Sequence, residues 1–509
     1  SGDQTLSRQQ LAETQLIVTT PEKWDIVTRK SGERSLGATV RLIIIDEIHL
    51  LHDARGPVLE AIVARTLRQV EASLDPTRIV GLSATLPNHE DVAAFLRAPP
   101  EAVFHFDSTY RPVPLQQTFY GINGRRGLKQ MRRMDEMCWD IVREGIGSHA
   151  SLVFVHSRKD TVKVASYLVS AAGEADLESS LIPQASSRVV LKGEASRCQN
   201  AELARLLPTG VAVHHAGLSK ADRSVVEALF AAGHLQVLVC TATLAWGVNL
   251  PAHAVIVRGT QVYSPEAGGW QELSPMDIMQ MFGRAGRPQF DTTGDGYLLT
   301  STTELQYYMS LLNEQLPIES QLVSRLADML NGEVALGTVA SVEDGVDWLG
   351  YTYLYVCMLR NPTLYGFAEY ASGAEVEDET MRRPRADLIH SAALILDAAG
   401  LVVYQPATGM IRGTDLGRIA SHYYITHPSI TRYTSMLRPT LSDVEMFRLF
   451  AASDEFRHMS VRREEVVEVE ELVSRVPIPI AEPADEGTAK VNVLLQAYLS
   501  GLTLDGFAL

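Results

Sequence analysis

Two acidic residues follow directly after a short apolar run. The run Leu42–Ile45 is uninterrupted and rich in β-branched residues, which is typical of a buried strand in a parallel sheet. Such sheets bind ligands beyond the carboxyl ends of their strands, where Asp46 and Glu47 stand. Asp46 could hold Mg²⁺ directly or through water, and Glu47 could orient or deprotonate a water molecule that attacks a γ-phosphate. An acidic pair here is also typical of a solvated turn or a helix N-cap, so these residues alone do not decide the chemistry.

A second cluster of reactive residue types lies much further along, at Gln280–Arg287. Arg284 and Arg287 offer two guanidinium groups that could contact a γ-phosphate from the opposite wall of a cleft. Gly283 and Gly286 would let the backbone approach a ligand closely. Arginines in a glycine-rich turn are otherwise typical of a solvated loop, so the cluster gains its force from the sequence between the two.

Further blocks lie between these two clusters in a characteristic order. The sequence resembles the Ski-type DExH-box RNA helicases of superfamily two over essentially the whole chain. The matching blocks are Asp46 to His49 with motif II, Ser83 to Thr85 with motif III, Phe154 to Arg158 with motif IV, Thr241 to Pro251 with motif V, and Gln280 to Arg287 with motif VI.

This resemblance implies ATP and Mg²⁺ as cofactors and assigns roles to three groups of residues. Asp46 and Glu47 would hold Mg²⁺ through ATP. The residues implied in ATP hydrolysis are Asp46, Glu47, His49, Gln280, Arg284 and Arg287. Those implied in coupling ATP to RNA are Ser83, Thr85, Gly247 and Asn249. Those implied in RNA binding are Thr20, Pro21, Lys23, Arg158, Thr241, Thr243, Tyr263 and Trp270.

Several of these residues also have a purely structural reading. Glu47 is a better-placed base than His49, so we expect His49 to link the acidic pair to motif VI or motif III, unless it is only a satisfied core histidine. Thr20 before Pro21 could be an ordinary strand end. Trp270 could stack at a duplex junction, or it could pack on its own scaffold. Ser83 and Thr85 could form a cap or turn before Leu86 and still connect the motifs.

The pattern of apolar runs predicts an α/β fold with two RecA-like lobes. The first lobe, incomplete at its N-terminus, is expected at 1–110 with strands near Gln15–Val18, Leu42–Ile45 and Ile79–Leu82. The second is expected at 111–316, with strands at Ser151–Val155, Val211–His214, Val237–Cys240 and Ala254–Val257 and a variable loop at Glu174–Ser196. The resemblance implies a strand-separating hairpin near 259–273, a winged-helix domain at 317–424 and the start of a helical ratchet domain at 425–509.

The phosphate-binding loop of the family is not found in this sequence. A loop ending in Gly-Lys-Ser/Thr is expected well upstream of motif II, and no such sequence occurs between Ser1 and Leu509. Its backbone amides and lysine would cradle the β- and γ-phosphates. We therefore expect the chain as printed not to hydrolyse ATP by itself.

Composition indicates a large intracellular protein and excludes several other classes. The chain has 509 residues, 46% of them hydrophobic, and its four scattered cysteines show neither metal spacing nor a disulfide framework. We find no signal peptide and no apolar run long enough for a membrane span, so no membrane partner is expected. A net charge of −16 argues against a broadly basic surface but allows a local basic channel for RNA.

Within the family, several short sequence segments resemble the spliceosomal branch, whose members belong to the U5 small nuclear ribonucleoprotein. They are Arg55–Glu60, Glu304–Tyr308, Leu316–Gln321, Leu416–Tyr424 and, near the end, Arg475–Ile480 and Asn492–Gln496. Val63–Val70 leans instead toward the helicase subunits of the activating signal cointegrator complex. The branch implies the N-terminal helicase cassette, unwinding of the U4/U6 snRNA duplex during spliceosome activation, and a nuclear location.

The spliceosomal branch also implies protein partners. They are a large U5 scaffold protein and its Jab1/MPN-type domain, and they rest on analogy alone. Because no phosphate-binding loop occurs in the sequence, an RNA-binding or protein-docking platform without hydrolysis remains an alternative of a different class.

Overall fold

The computed structural model describes residues 13–29, 39–73, 76–124, 127–242, 244, 248, 250–264, 269–288, 290–313, 317–370, 378, 380–462, 465–502 and 504. The chain divides into two compact units. The first unit comprises Ser1–Phe104 and Pro317–Leu509, and the second comprises His105–Leu316. The bounds of the four domains expected from the sequence stay predictions. The division into two compact units places the first lobe together with the C-terminal part of the chain.

The N-terminal part of the first unit contains a two-stranded parallel sheet. Strand β1 pairs with β2 in a register that sets Ile43 beside Ile79 and Ile45 beside Gly81. The expected strand at Gln15–Val18 is wrong, since these residues belong to no strand. The elements are α1 (Pro21–Thr28), β1 (Leu42–Ile45), α2 (Gly56–Ser73), β2 (Arg78–Gly81) and α3 (His89–Phe95).

The second unit is built on a six-stranded parallel sheet, as the alternation of apolar runs and helical patterns predicts. Its strand order is β3-β10-β7-β4-β6-β5. The inner strands β4 and β7 are buried along their whole length, which explains why their residues form continuous apolar runs. The strands are β3 (Leu115–Ile122), β4 (Ser151–Val155), β5 (Val211–His214), β6 (Val237–Thr241), β7 (Ala254–Arg258) and β10 (Gly294–Ser301).

Four of these strands confirm the sequence prediction, and the strands β3 and β10 were missed. The edge strand β3 is mostly half-exposed and carries two glutamines and a threonine, so it has no apolar run to reveal it. Strand β10 contains two glycines within its first three residues, which are unfavourable in strands. A Cβ atom at Gly296 would lie 3.0 Å from the ring of Phe282, so a side chain there would require that ring to move slightly.

Helices cover this sheet, and a small antiparallel hairpin extends from it. The expected loop at Glu174–Ser196 is wrong in its centre, where Ala185–Ala195 forms a helix with Leu191 in the core. The hairpin strands are β8 (Gln261–Ser264) and β9 (Gly269–Glu272). The helices are α4 (Leu128–Gly145), α5 (Arg158–Glu174), α6 (Ala185–Ala195), α7 (Ala201–Leu206), α8 (Lys220–Ala231), α9 (Pro275–Phe282) and α10 (Thr302–Asn313).

The C-terminal part of the first unit is mostly helical, as expected from Pro317 onward. One antiparallel hairpin, β11 (Val402–Gln405) with β12 (Met410–Gly413), accompanies the helices and supplies the wing of a winged-helix fold. The helices are α11 (Leu326–Leu336), α12 (Val342–Leu349), α13 (Tyr353–Arg360), α14 (Arg382–Ala398), α15 (Asp415–Tyr423), α16 (His427–Met436), α17 (Asp443–Ala451), α18 (Val466–Arg475) and α19 (Gly487–Leu499).

One hydrophobic core joins the two parts of the first unit. Ala61 and Ala64 of α2 belong to the same buried cluster as Leu330 of α11 and Trp348 of α12. Residues that are distant in sequence therefore fold around a shared interior. Within the described ranges, none of the helices has the length and apolar character needed to cross a membrane.

Candidate functional site

Motif II lies at the carboxyl end of β1, where the chain turns away from the sheet. Asp46 and Glu47 are both exposed there, and Asp46 Oδ1 accepts a hydrogen bond from the Glu47 N–H at 3.0 Å. Glu47 has φ of +54°, in the left-handed region that residues with a side chain rarely adopt. Such strain costs on the order of 1 kcal/mol and tends to persist at functional sites.

His49 connects this acidic pair to motif III. Its Nδ1 atom accepts a hydrogen bond from the Ala84 N–H at 3.2 Å, so in the neutral ring the proton stays on Nε2. Nε2 lies 3.2 Å from Oε2 of Glu47 and can donate to it. Burial, aided by the nearby His52, lowers the pKa of His49 to about 4, which keeps the ring neutral near pH 7. His49 is thus in contact with motif III, one of the two links that the sequence left open.

Main-chain hydrogen bonds hold motifs II and III side by side. The Leu82 N–H donates to Ile45 O at 2.9 Å, and the Ile48 N–H donates to Leu82 O at 2.8 Å. Ser83 and Thr85 follow directly and are exposed. Because β1 and β2 are parallel neighbours, their carboxyl ends bring the two motifs to one edge.

Thr20, Pro21 and Lys23 begin a helix rather than ending a strand. Thr20 is the N-cap of α1, its Oγ1 accepts from the Lys23 N–H at 3.5 Å, and Pro21 fills the first helical position. The strand-end reading of Thr20 is therefore wrong. The exposed start of a helix presents backbone N–H groups that suit a phosphate oxygen.

Buried ion pairs fix this helix in place. Asp25 of α1 is fully buried and pairs with Arg29 at 2.7 Å and with Arg65 of α2 at 3.0 Å. Arg65 also pairs with Glu333 of α11 at 2.7 Å. Paired charges in the interior are costly to separate, so these ion pairs hold α1 together with α2 and α11.

Motif VI begins in the last turn of α9 and continues into the turn after it, within the second unit. Two backbone hydrogen bonds join this turn to Ala252. The Ala252 N–H donates to Arg284 O at 2.9 Å, and the Gly286 N–H donates to Ala252 O at 2.7 Å. Gly286 has φ of +90°, and a Cβ atom there would lie 2.6 Å from Val113. The glycine is thus required both by its backbone conformation and by close packing.

Arg111 also holds motif VI, a role that the sequence reading missed. Its Nη2 atom donates to the carbonyl oxygens of Phe282 at 3.0 Å and Ala285 at 2.9 Å, and its Nε donates to Val113 O at 2.9 Å. The sequence reading gave Arg111 no role. Its place beside Pro112 and Pro114, in a linker segment between the two predicted lobes, was the available signal.

Arg287 is held by a second residue that the sequence reading missed. Its Nε and Nη2 atoms donate to the two carboxylate oxygens of Asp291 at 2.9 and 3.0 Å, and its own N–H donates to the same group at 2.8 Å. Burial raises the pKa of Asp291, but hydrogen bonds and charge from Arg287 outweigh this, and the pKa is lowered overall. Nη1 takes no part in this pair. The i, i+4 spacing of an acid after a motif arginine was the signal for this contact.

Two histidines stand behind the carboxylate of Asp291. His253 Nδ1 lies 3.4 Å from Asp291 Oδ1, and its Nε2 lies 3.4 Å from Asp295 Oδ2. The ring of His149 packs on His253 with centroids 3.9 Å apart. Burial and the neighbouring His253 lower the pKa of His149. Asp291 is thus enclosed by groups that restrict its movement.

Motifs IV and V end neighbouring strands of the same sheet. Val155 of β4 lies beside Thr241 of β6, so Thr241 and the exposed Arg158, which begins α5, come to one edge of the sheet. Gln280 lies in α9, within the second unit. Thr243, Gly247 and Asn249 lie outside the described residues.

The hairpin carries two exposed aromatic side chains. Tyr263 is paired with Trp270 across β8 and β9, with ring centroids 5.6 Å apart and an interplanar angle of 73°. Trp270 is 56% exposed, so the ring packs on its hairpin neighbour while keeping a face open to solvent. This geometry is compatible with both readings of Trp270.

The donor set fits a magnesium nucleotide. Asp46 and Glu47 are exposed oxygen donors at a strand end, the ligand type that Mg²⁺ prefers when most of its ligands come from phosphate and water. In the described part of the chain, no group of three or more histidine, cysteine, aspartate or glutamate side chains could hold a metal ion. An ion there would depend on the nucleotide for its remaining ligands.

Four family profiles match the chain in succession. They are the DEAD/DEAH box helicase profile at 1–92, the helicase conserved C-terminal domain at 183–289, a winged helix-turn-helix domain at 319–398 and the Sec63 Brl domain at 413–509.

Curated relatives match the chain from end to end. It is 56% identical over 511 residues to the "U5 small nuclear ribonucleoprotein 200 kDa helicase" of Drosophila melanogaster, covering 100% of this chain and 24% of the relative. It is 56% identical over 512 residues to the "Pre-mRNA-splicing factor brr2" of Schizosaccharomyces pombe, covering 100% and 23%. It is 55% identical over 510 residues to an "Activating signal cointegrator 1 complex subunit 3-like" protein of Dictyostelium discoideum, covering 100% and 23%.

The chain thus spans about a quarter of the length of the curated relatives it matches. Both helicase profiles, the winged-helix and Sec63 profiles and the full-length matches agree with the motifs and with the α/β fold. The chain belongs to the Ski-type DExH-box helicases of superfamily two.

Proposed function

We propose that this chain supplies the N-terminal cassette of an ATP-dependent spliceosomal RNA helicase. The observation that carries the proposal is the contact of Glu47 with neutral His49 and of His49 with the backbone of Ala84. A carboxylate oriented by a neutral donor and tied to the next motif is suited to coupled nucleotide hydrolysis.

In this proposal the acidic residues act on the water and the phosphate. Asp46 would hold the Mg²⁺ ion of the nucleotide, and that ion supplies charge neutralisation on the phosphate oxygens when bound. Glu47 would orient the attacking water and take its proton. His49, which donates to Glu47, would keep that carboxylate correctly turned.

The motif VI residues would act on the charge that develops on the γ-phosphate. Asp291 holds Arg287 through two parallel hydrogen bonds, so the arginine is already ordered before it meets a phosphate. Arg284 lies in the same turn, which Ala252 and Arg111 secure. The resemblance adds Gln280 to the residues that act in ATP hydrolysis. It also implies that four residues couple ATP to RNA: Ser83, Thr85, Gly247 and Asn249.

RNA would bind along residues at strand ends and helix starts. Thr20, Pro21 and Lys23 lie at the start of α1, and Arg158 and Thr241 lie at one edge of the second sheet. Hydroxyl, guanidinium and backbone N–H groups suit phosphate contacts that do not depend on base sequence. The exposed ring of Trp270 would stack on a base where the duplex opens.

The relatives' names point to the substrate and location. Two relatives are named as a U5 small nuclear ribonucleoprotein helicase and as a pre-mRNA-splicing factor. These names support our proposal that the activity is unwinding of the U4/U6 snRNA duplex in the nucleus. By the same resemblance we propose the U5 scaffold protein and its Jab1/MPN-type domain as partners. The Dictyostelium relative, whose name prints a signal cointegrator subunit, keeps the cointegrator helicase as a second candidate.

The proposal requires a phosphate-binding loop to complete the ATP site. We propose that it lies upstream of motif II in the whole protein and that the chain as printed is inactive by itself. If the whole protein has no such loop, the chain would serve as an RNA-binding or docking platform.

The test is ATP-dependent unwinding by the full-length protein. We expect unwinding of a U4/U6-like duplex with a 3′ overhang, and its loss in Glu47→Gln, because the amide cannot take a proton from water. The exposed Glu101 provides a matched control, so Glu101→Gln should retain wild-type activity. Equal activity of Glu47→Gln and wild type would contradict the role of Glu47. RNA crosslinking without hydrolysis or unwinding by the folded wild type would instead establish the platform.

A further inference from the structure

The short segment Pro317–Ser320 leads into the winged-helix region, which is the stretch that matches the winged helix-turn-helix profile at 319–398. The segment is held at two points within the first unit. At the first point, Asn88 Nδ2 donates to Ile318 O and the Ile318 N–H donates to Asn88 Oδ1, both at 3.0 Å. The amide side chain thus pairs with the backbone as a neighbouring strand would. Tyr353 of α13 reinforces the pair, since its hydroxyl donates to Ile318 O at 2.9 Å and accepts from Asn88 Nδ2 at 3.0 Å.

At the second point, a buried carboxylate grips the end of the segment. Ser320 Oγ donates to Glu60 Oε1 at 2.5 Å, and the Leu354 N–H donates to Glu60 Oε2 at 2.8 Å. Glu60 is fully buried, so both of its oxygens depend on these donors. The same carboxylate therefore ties the segment to the start of α13.

Both points stand on elements that continue from the nucleotide motifs. Asn88 is the N-cap of α3 and lies four residues after Ala84. The N–H of Ala84 donates to His49 of motif II. Glu60 lies in α2, which begins shortly after the 3₁₀ turn Ile48–His52 of motif II. A change at either motif would therefore reach the segment through only a few intervening residues of the chain.

The winged-helix side of the junction is equally well packed. The ring of Phe95 of α3 lies 5.6 Å from the ring of Tyr353, and Leu354 is fully buried in the shared core. One further link between α3 and α13, the ion pair of Arg360 with Asp91, is at the surface and does not involve the segment. The two elements are therefore joined by buried contacts at Tyr353 and by this exposed ion pair.

We propose that Asn88 and Glu60 are positioning residues that couple motifs II and III to the winged-helix region through Pro317–Ser320. The proposal rests on the proposed helicase function and names where its ATP turnover is passed on. When the segment is held, the winged-helix region follows movements of the nucleotide motifs. When it is released, the nucleotide motifs can cycle without moving the winged-helix region.

The experiment compares ATP turnover with strand separation in the full-length protein. In Asn88→Ala we expect the unwinding rate to fall about tenfold while RNA-stimulated ATP hydrolysis stays within about twofold of wild type, since one buried connection is lost. Tyr353→Phe removes only the hydroxyl, keeps the packed ring, and should lower the same ratio by a smaller factor. The control Arg360→Gln removes the exposed link and should leave the ratio unchanged.

The outcomes separate this proposal from the proposed function. If wild type unwinds RNA but the two activities fall together in Asn88→Ala and Tyr353→Phe, the residues are structural and the coupling proposal is wrong. An unchanged ratio in Tyr353→Phe, at an unchanged unfolding midpoint, would overturn it even if Asn88→Ala fails to fold. If wild type itself neither hydrolyses ATP nor unwinds RNA, the proposed function fails first.

Discussion

Motifs II and VI are held in their places by different means. Motif II is positioned mainly by the main chain: the two parallel strands β1 and β2 are joined by backbone hydrogen bonds, and one histidine completes the link to motif III. Motif VI also has backbone bonds to Ala252, yet its Arg287 is ordered by a side-chain ion pair and its turn by the guanidinium of Arg111. Backbone positioning survives most substitutions, whereas side-chain positioning can be removed by one mutation.

The largest effect is expected at Arg287. Its replacement by alanine should lower the rate of ATP hydrolysis by about a thousandfold, the range found for arginines that stabilise the charge of a transferring phosphoryl group. Single-turnover hydrolysis by the full-length protein measures this loss. Arg132→Ala, which removes an exposed arginine of α4, is the control and should have no effect. A loss of less than about tenfold would show that Arg287 does not contact the developing charge.

A smaller effect is expected when Arg287 stays and its holder changes. Asp291→Asn keeps one acceptor oxygen but loses the charge and the second acceptor, so kcat should fall about tenfold with little change in KM. Asp291→Glu should recover part of the activity, because it restores the carboxylate. Equal kcat in Asp291→Asn and wild type would show that motif VI is fixed by its backbone alone.

The smallest effect is expected in motif II, at His49. In His49→Asn the side-chain oxygen can still accept from the Ala84 N–H, while the donor to Glu47 is lost, so hydrolysis should slow only several-fold. A loss as large as that of Arg287→Ala would show that His49 takes part in proton transfer.

His49→Asn also carries a prediction for stability against pH. The folded pKa of His49, about 4, lies below its ordinary value of 6.5, so the unfolded chain takes up a proton first as the pH falls. The cost of this histidine is absent above pH 6.5 and grows to roughly 3 kcal/mol as the pH falls toward 4. The Asn variant should thus become more stable relative to wild type over this range, as thermal unfolding at several pH values can measure. A constant difference would contradict the neutral buried ring.

The predictable parts of the site were those that depend on local sequence. Asp46 and Glu47 were proposed because they follow an apolar strand. Arg284 and Arg287 were proposed because ordered motifs lie between them and the acidic pair, and these four assignments stay predictions. Asp291 and Arg111 were missed, since no local pattern says which carboxylate meets an arginine or where a linker arginine points. Asn88 and Glu60 were missed because their partners lie more than 200 residues away.

The sequence by itself determined the family, the order of the motifs, and the four strands of the second unit whose apolar runs are continuous. These follow from residue type and spacing, which act over a few neighbouring residues. Tertiary structure alone decided that Pro317–Leu509 joins Ser1–Phe104 in one compact unit. It also decided that His49 contacts the backbone of motif III at Ala84 and that the chain at Ala185–Ala195 is a helix. The physical reason is that burial and pairing depend on contacts between residues far apart in the chain, and their energies are not written in any local pattern.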